Sequence, residues 1–262
     1  MEGVIACDDD PVVYLYGFVP RATAMPPIEG VEPDSPVFFI ESGDLACAAS
    51  LVPSHRYAHP HDGQTAEQAE WVTRRALRHH EVLGRLQASG AVLPLKFGAT
   101  CPTANDVRLL LQDRRGAITE LLEKFAGKDE WTLKITVDDA AVAARCEAES
   151  PELMALKQAE ASLPEGRAYF ARKQRLKITA ALVAESIAAV EDAAYRRLAR
   201  LDIDIVRSSR NTAAALLVPR STRDALETAL AELQAEHADC GLAFELVGPW
   251  PPYSFATTLG QD

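Results

Sequence analysis

The chain is 262 residues long, 48% hydrophobic and 25% charged, with a formal net charge of −11. That balance describes a folded globular protein with room for two domains of ordinary size. It argues against duplex nucleic acid as a partner, because phosphate contacts need a basic surface, and against an anionic membrane.

Val12 to Val19 opens with a strand. Val12, Tyr14, Tyr16 and Phe18 take one face and Val13, Leu15 and Val19 the other, so both faces are expected to be covered. Arg21 to Pro36 carries Pro26, Pro27, Pro33 and Pro36 and reads as a loop. Val37 to Ile40 and Leu45 to Val52 read as strands joined by a turn at Ser42-Gly43-Asp44. Pro53 to Gly63 is a second loop. Thr65 to Gln68 is a capping-box pattern that starts a helix with Val72, Ala76, His79, Leu83 and Leu86 on its buried stripe. Ala91 to Leu95 reads as a short strand. Thr103 to Asp106 caps the next helix, with Val107, Leu110, Leu111, Ile118, Leu121, Leu122 and Phe125 inward, a kink at Arg114-Arg115-Gly116 and a stop at Gly127.

Trp131 to Val137 alternates strictly, the mark of a half-buried strand. Asp138 to Leu163 reads as one helical stretch ending before Pro164. A long helix over about Gly166 to Leu201 carries Leu176, Val183, Ile187, Val190, Ala194, Leu198 and Leu201 on one stripe. At ~1.5 Å per residue it spans about 50 Å, so its N-terminal end is expected to project, solvated by Arg167, Arg172, Lys173, Arg175 and Lys177. Ile203 to Val206 and Ala213 to Val218 form a hairpin around Ser208 to Asn211. Ser221 to Asp224 caps a helix with Leu226, Leu230 and Leu233 inward, and Leu242 to Val247 is the last strand.

From Trp131 the order is strand, helices, strand, strand, helix, strand, the βαββαβ order of a ferredoxin-like domain with long helices. The N-terminal part suggests a second, related α+β sandwich. The expected fold is therefore α+β in two domains, with the boundary near Gly127-Lys128-Asp129. This gives an N-terminal domain over 1–128, a C-terminal domain over 129–248 and a tail over 249–262.

The sequence offers little chemistry. His55, His59, His61, His79 and His80 cluster, but no H-E-x-x-H or C-x-x-C pattern completes a metal set, and they read as ordinary loop and helix-surface histidines. Asp138-Asp139 sits at a helix N-terminus, where negative charge is favourable. Asp202 and Asp204 alternate outward on a strand. The phosphate-cradling glycine patterns and the G-x-S-x-G elbow are absent, as is an aromatic stacking set for RNA. No catalytic residue, cofactor or metal is expected. The N-terminus lacks the pattern of a signal peptide, and no run reaches the ~18 apolar residues of a spanning helix. The five scattered cysteines fit reduced thiols in a cytoplasmic protein.

The most distinctive segment is Gly248-Pro249-Trp250-Pro251-Pro252-Tyr253-Ser254-Phe255. Its prolines exclude helix interior and central strand, and its three aromatics are rigid anchors. It reads as a strap over the protein's own core, as a partner-docking segment, or as both. Pro94, Phe97 and Gly98 close a strand and redirect the chain, with Phe97 expected to pack inward rather than touch a partner and Gly98 permitting a positive φ or a close backbone approach.

Five stretches in order resemble the gas vesicle protein F/L family: Val13 to Gly17; His79 to Leu83 leading to Val92 to Gly98; Gly127 through Val137; Gly166 to Phe170; and Gly248 to Phe255. Together they span about residues 12–255. Phe170 stands where a leucine is common, and Asp10 and earlier residues have no counterpart. The resemblance implies a non-enzymatic accessory or minor structural component of gas vesicles, found at the vesicle and in the cytoplasm. Its partners would be the main shell protein, whose assembly it helps, and other accessory proteins. It also implies two α+β domains, the second ferredoxin-like, with the C-terminal tail folding back toward the first. Tyr169, Trp250, Pro251, Tyr253 and Phe255 join Pro94, Phe97 and Gly98 as the signature residues for structure or partner binding. The alternative is a regulatory α+β module that binds a small ligand.

Overall fold

The computed structural model describes residues 11–25, 27–57, 65–208 and 213–256. The chain divides into two compact units, one of Met1–Glu130 with Pro249–Asp262 and one of Trp131–Gly248.

In the first unit, strands β1 (Pro11–Pro20), β2 (Phe38–Ser42) and β3 (Leu45–Pro53) precede a one-turn helix α1 (Ser54–Tyr57) and the long α2 (Ala66–Ser89). Two-residue strands β4 (Leu93–Pro94) and β5 (Thr100–Cys101) follow, then α3 (Ala104–Asp113) and α4 (Arg115–Phe125). The sheet order is β2-β3-β1-β4, with β5 also paired to β1. β1 runs antiparallel to β3 from Pro11↔Pro53 to Pro20↔Leu45, with a register shift between Leu15 and Gly17. Val13 through Val19 are buried on both faces, as the double apolar pattern predicts. Only Leu93–Pro94 of the expected Ala91–Leu95 strand pairs, and β5 carries too little periodic sequence to be foreseen.

Local signals set the helix starts. The Thr65 side chain accepts from the Gln68 N–H at 3.2 Å, and Gln68 Oε1 accepts from the Thr65 N–H, so the capping box is complete. Thr103 and Asp106 repeat it for α3. The expected kink at Arg114 is a full break between α3 and α4. On α2 the buried stripe is His79, Val82, Leu83, Leu86 and Gln87, while Val72 and Ala76 are only half-buried.

The second unit holds β6 (Lys128–Val137) from Trp131 on, α5 (Asp139–Glu149), α6 (Pro151–Ser162), α7 (Glu165–Leu198), β7 (Asp204–Arg207), β8 (Ala213–Pro219), α8 (Arg223–Glu236) and β9 (Leu242–Trp250) as far as Gly248. The sheet order is β7-β8-β6-β9, and β7 pairs antiparallel with β8. The hairpin turn expected around Ser208 to Asn211 lies largely outside the described residues. The core gathers Leu133, Ile135, Val142, Ala194, Leu216 and Leu226.

Several expectations are corrected here. The single helical stretch Asp138–Leu163 is two helices: Ser150 accepts from the Leu153 N–H at 3.3 Å, and Pro151 stands at the first helical position. Proline lacks the N–H that a continuing helix would need, so the chain restarts there. α7 stops at Leu198 and does not project alone. α5 and α6 pack on it, and Arg175 bonds Glu160 at 3.0 Å and Glu147, with Arg172 on Glu160 at 2.5 Å. Those two arginines therefore tie helices together. α8 begins after a 3-10 turn over Arg220–Thr222, and Thr222 makes no side-chain capping bond. The last strand runs three residues past Val247 to Trp250, and Pro249 is tolerated because β9 is an edge strand.

Candidate functional site

Two segments that stand out in the sequence, Pro94 to Gly98 and Gly248 to Phe255, meet on one buried cluster of the first unit. Its centre is made by β1 and α2. Tyr14 and Tyr16 are fully buried, and His79 is 2% exposed. Tyr14 Oη lies 2.8 Å from His79 Nδ1, and His79 Nε2 lies 3.1 Å from the Leu95 carbonyl oxygen. A carbonyl only accepts, so Nε2 carries the proton and Nδ1 accepts from Tyr14. Burial holds the imidazole down at about 4, against the bond to Leu95, which favours protonation. Burial also pushes the Tyr14 phenol far above its ordinary value.

The Pro94–Gly98 segment closes this cluster. Pro94 is buried in β4. Phe97 is half-buried, its ring centroid 6.0 Å from that of His79 and 6.3 Å from that of Tyr14. Gly98 has φ +86, a left-handed conformation, and its N–H donates to Tyr14 Oη at 3.2 Å.

Beside it, Tyr16 Oη accepts from the Val31 N–H at 2.8 Å and donates to Ser50 Oγ at 2.9 Å, while Ser50 donates to the Pro36 carbonyl. Gly30 is the close-approach point. A Cβ there would lie 2.3 Å from Ser50 Oγ, 2.4 Å from the Ser35 carbonyl oxygen and 2.7 Å from Tyr16 Oη. Further out, the buried Glu32 accepts from Arg75 at 2.6 Å and Tyr57 Oη at 3.0 Å, with Arg56 at 3.7 Å. Charge buried with two hydrogen bonds and a second arginine is compensated rather than reactive.

The tail docks on the same unit. Pro251 and Pro252 are buried. Tyr253 packs against the Tyr14–His79 cluster. Glu130, 5% exposed, accepts from the Ser254 N–H at 2.9 Å and from Ser254 Oγ at 2.7 Å. Burial raises the Glu130 carboxyl above the usual range, opposed by both Ser254 bonds. Phe255 is 7% exposed, with Lys124 Nζ 5.5 Å from its ring centroid. Trp250 is only half-buried. Its ring centroid is 5.2 Å from that of His80, and its carbonyl accepts from Gln87 Nε2, which also donates to Asp129.

Seven of the eight signature residues thus belong to the first unit. Tyr169 belongs to the second, on α7, and is 58% exposed. The remaining participants, Glu32, Gln87 and Glu130, carry no local signal, because each partner is at least 24 residues away along the chain. Among the described residues, no three His, Cys, Asp or Glu side chains gather as a metal site; His59 and His61 lie outside those residues. Both ring nitrogens of His79 are taken. No helix among the described residues is long and apolar enough to cross a membrane.

Residues 12–257 match the family described as gas vesicle synthesis protein GvpL/GvpF. The chain is 28% identical over 250 residues to gas vesicle protein F of Streptomyces sp. (strain CB03234), covering 92% of this chain and 98% of that protein. It is 27% identical over 255 residues to gas vesicle protein L of the same organism, covering 90% and 91%. Two crystal structures share the fold at 18% identity. GvpF from Microcystis aeruginosa has a TM-score of 0.66 over 94% of this chain and 99% of that one. GvpF from Anabaena sp. PCC7120 has a TM-score of 0.68 over 95% and 99%.

Proposed function

The chain belongs to the gas vesicle GvpL/GvpF family, and from that membership we propose that it binds the main gas vesicle shell protein and promotes nucleation or assembly of the vesicle. The match over residues 12–257 carries this reading. The physics is straightforward. A protein that builds a gas-facing wall is apolar and prone to self-associate before assembly. A soluble, acidic partner can cover that surface until a growing edge is available.

In this reading the protein makes and breaks no covalent bond, acts in the cytoplasm and at the vesicle, and has other accessory proteins as further partners. The second unit is read as ferredoxin-like, supported by its β6-(α5, α6, α7)-β7-β8-α8-β9 order and the sheet order β7-β8-β6-β9. The first unit is read as a variant of the same sandwich. Pro94, Phe97, Gly98, Pro251, Tyr253 and Phe255 act as a latch that fixes the tail, and the half-buried Trp250 adds aromatic surface beside it. The experiment is co-purification with the shell protein, combined with deletion of the gene. Binding together with lost or malformed vesicles is the expected result; no binding together with normal vesicles refutes it.

A further inference from the structure

We propose that the N-terminal half of α7 is the surface that receives a partner helix, apolar along one ridge and acidic on its flanks. One stripe of α7 is covered by the fold only halfway along its length. Tyr169, Lys173, Leu176, Ala180, Val183, Ile187, Val190, Ala194 and Leu198 follow one another at intervals of three and four, one face of a helix. In the C-terminal half this face is core: Val190, Ala194 and Leu198 are buried in the cluster of the second unit, with Val183 packed against it. In the N-terminal half the same face continues without cover. Tyr169 is 58% and Leu176 55% exposed, and Phe170, on the flank of this face and 70% exposed, meets the Tyr169 ring edge to face at 5.7 Å. The side of α7 that faces its helical neighbours is a different one, marked by the buried Ala168, Ala171 and Thr179.

Charge selects the occupant. Arg172 and Arg175 are spent on Glu160 and Glu147, whereas Lys173, on this face, and Lys177, beside it, form no ion pair among the described residues. A basic, aromatic strip on a chain of net charge −11 is complementary to carboxylates. It also disfavours two copies meeting face to face here, because both would bring the same unpaired positive charge to the contact. Geometry selects a helix over a strand. The strip lies on a helix whose backbone groups are bonded internally, so an extended peptide would find no ladder to join, while a helix brings its own hydrogen bonds.

This inference rests on the proposed shell-protein binding and identifies the partner helix as a segment of that protein. The test uses the full chain co-expressed with the shell protein and measures retained shell protein at rising salt. Y169A/F170A is expected to lower retention about tenfold, as loss of paired aromatic anchors does. K173E/K177E is expected to weaken retention at low salt and to flatten its salt dependence. Both variants change exposed side chains, so melting midpoints stay at the wild-type value, and L109A, on the exposed face of α3, retains shell protein as wild type does. Retention by both α7 variants equal to wild type overturns the assignment of this face while leaving shell binding intact. Failure of the wild type to retain shell protein overturns both.

Discussion

Acidification from pH 7 to pH 5 is expected to destabilise the first unit by about 2 kcal/mol through His79 alone. The folded imidazole titrates at about 4 and an unfolded one at about 6.5. Between those values the unfolded chain binds more protons, so stability rises with pH, and the whole difference is lost below both. Integrating over the window gives about 2 kcal/mol by pH 5 and about 3 kcal/mol by pH 4. The cause is burial, which disfavours the imidazolium. Protonation at Nδ1 would also place an N–H against the Tyr14 hydroxyl, which donates there now and already accepts from Gly98. The other near groups leave the sign unchanged. His80 is also held low by burial, and its charge opposes a second charge on His79. Urea unfolding of wild type and H79Q at pH 7, 6 and 5 is the assay. H79Q is expected to be less stable at pH 7 by about 1–3 kcal/mol, since Tyr14 loses its partner, but to lose little more on acidification. Parallel loss in both proteins between pH 7 and pH 5 refutes the reasoning.

Gly30→Ala drives a methyl group into Ser50, Tyr16 and a backbone carbonyl, and is expected to cost about 1–3 kcal/mol in urea unfolding. Phe255→Ala empties a nearly closed site and is expected to cost about 3–5 kcal/mol; Trp250→Ala, only half-buried, is expected to cost clearly less, and the reverse order contradicts the latch. Ser254→Ala removes one of two bonds to a buried carboxylate, at about 1.5–3 kcal/mol. Because it raises the folded pKa of Glu130 further, its deficit grows as pH rises from 4 to 7 and is smallest in acid, which pH-dependent unfolding detects.

Much of the fold is written in signals only a few residues wide. The capping boxes at Thr65 and Thr103, the alternation of Trp131 to Val137 and the doubly apolar β1 each depend on neighbours three or four positions away, and each forms where its residues predict. The break at Ser150-Pro151 is equally local and has a recognisable cap and first-turn proline. The tail is legible as a rigid aromatic segment, because prolines restrict it whatever surrounds it.

What a one-dimensional pattern cannot hold is the identity of distant partners. His79 has the spacing of an apolar stripe, and only the folded sheet makes it a buried neutral base, by bringing in Tyr14 from 65 residues away. Glu130 looks like a polar residue at a strand start until Ser254, 124 residues on, supplies the two bonds that let it be buried. The long stripe on α7 is continuous in sequence, but in its N-terminal half α5 and α6 pack on a different side of the helix. Periodicity determined which side chains share that face; tertiary packing alone decided which of them water still reaches, because burial depends on what arrives from elsewhere in the chain.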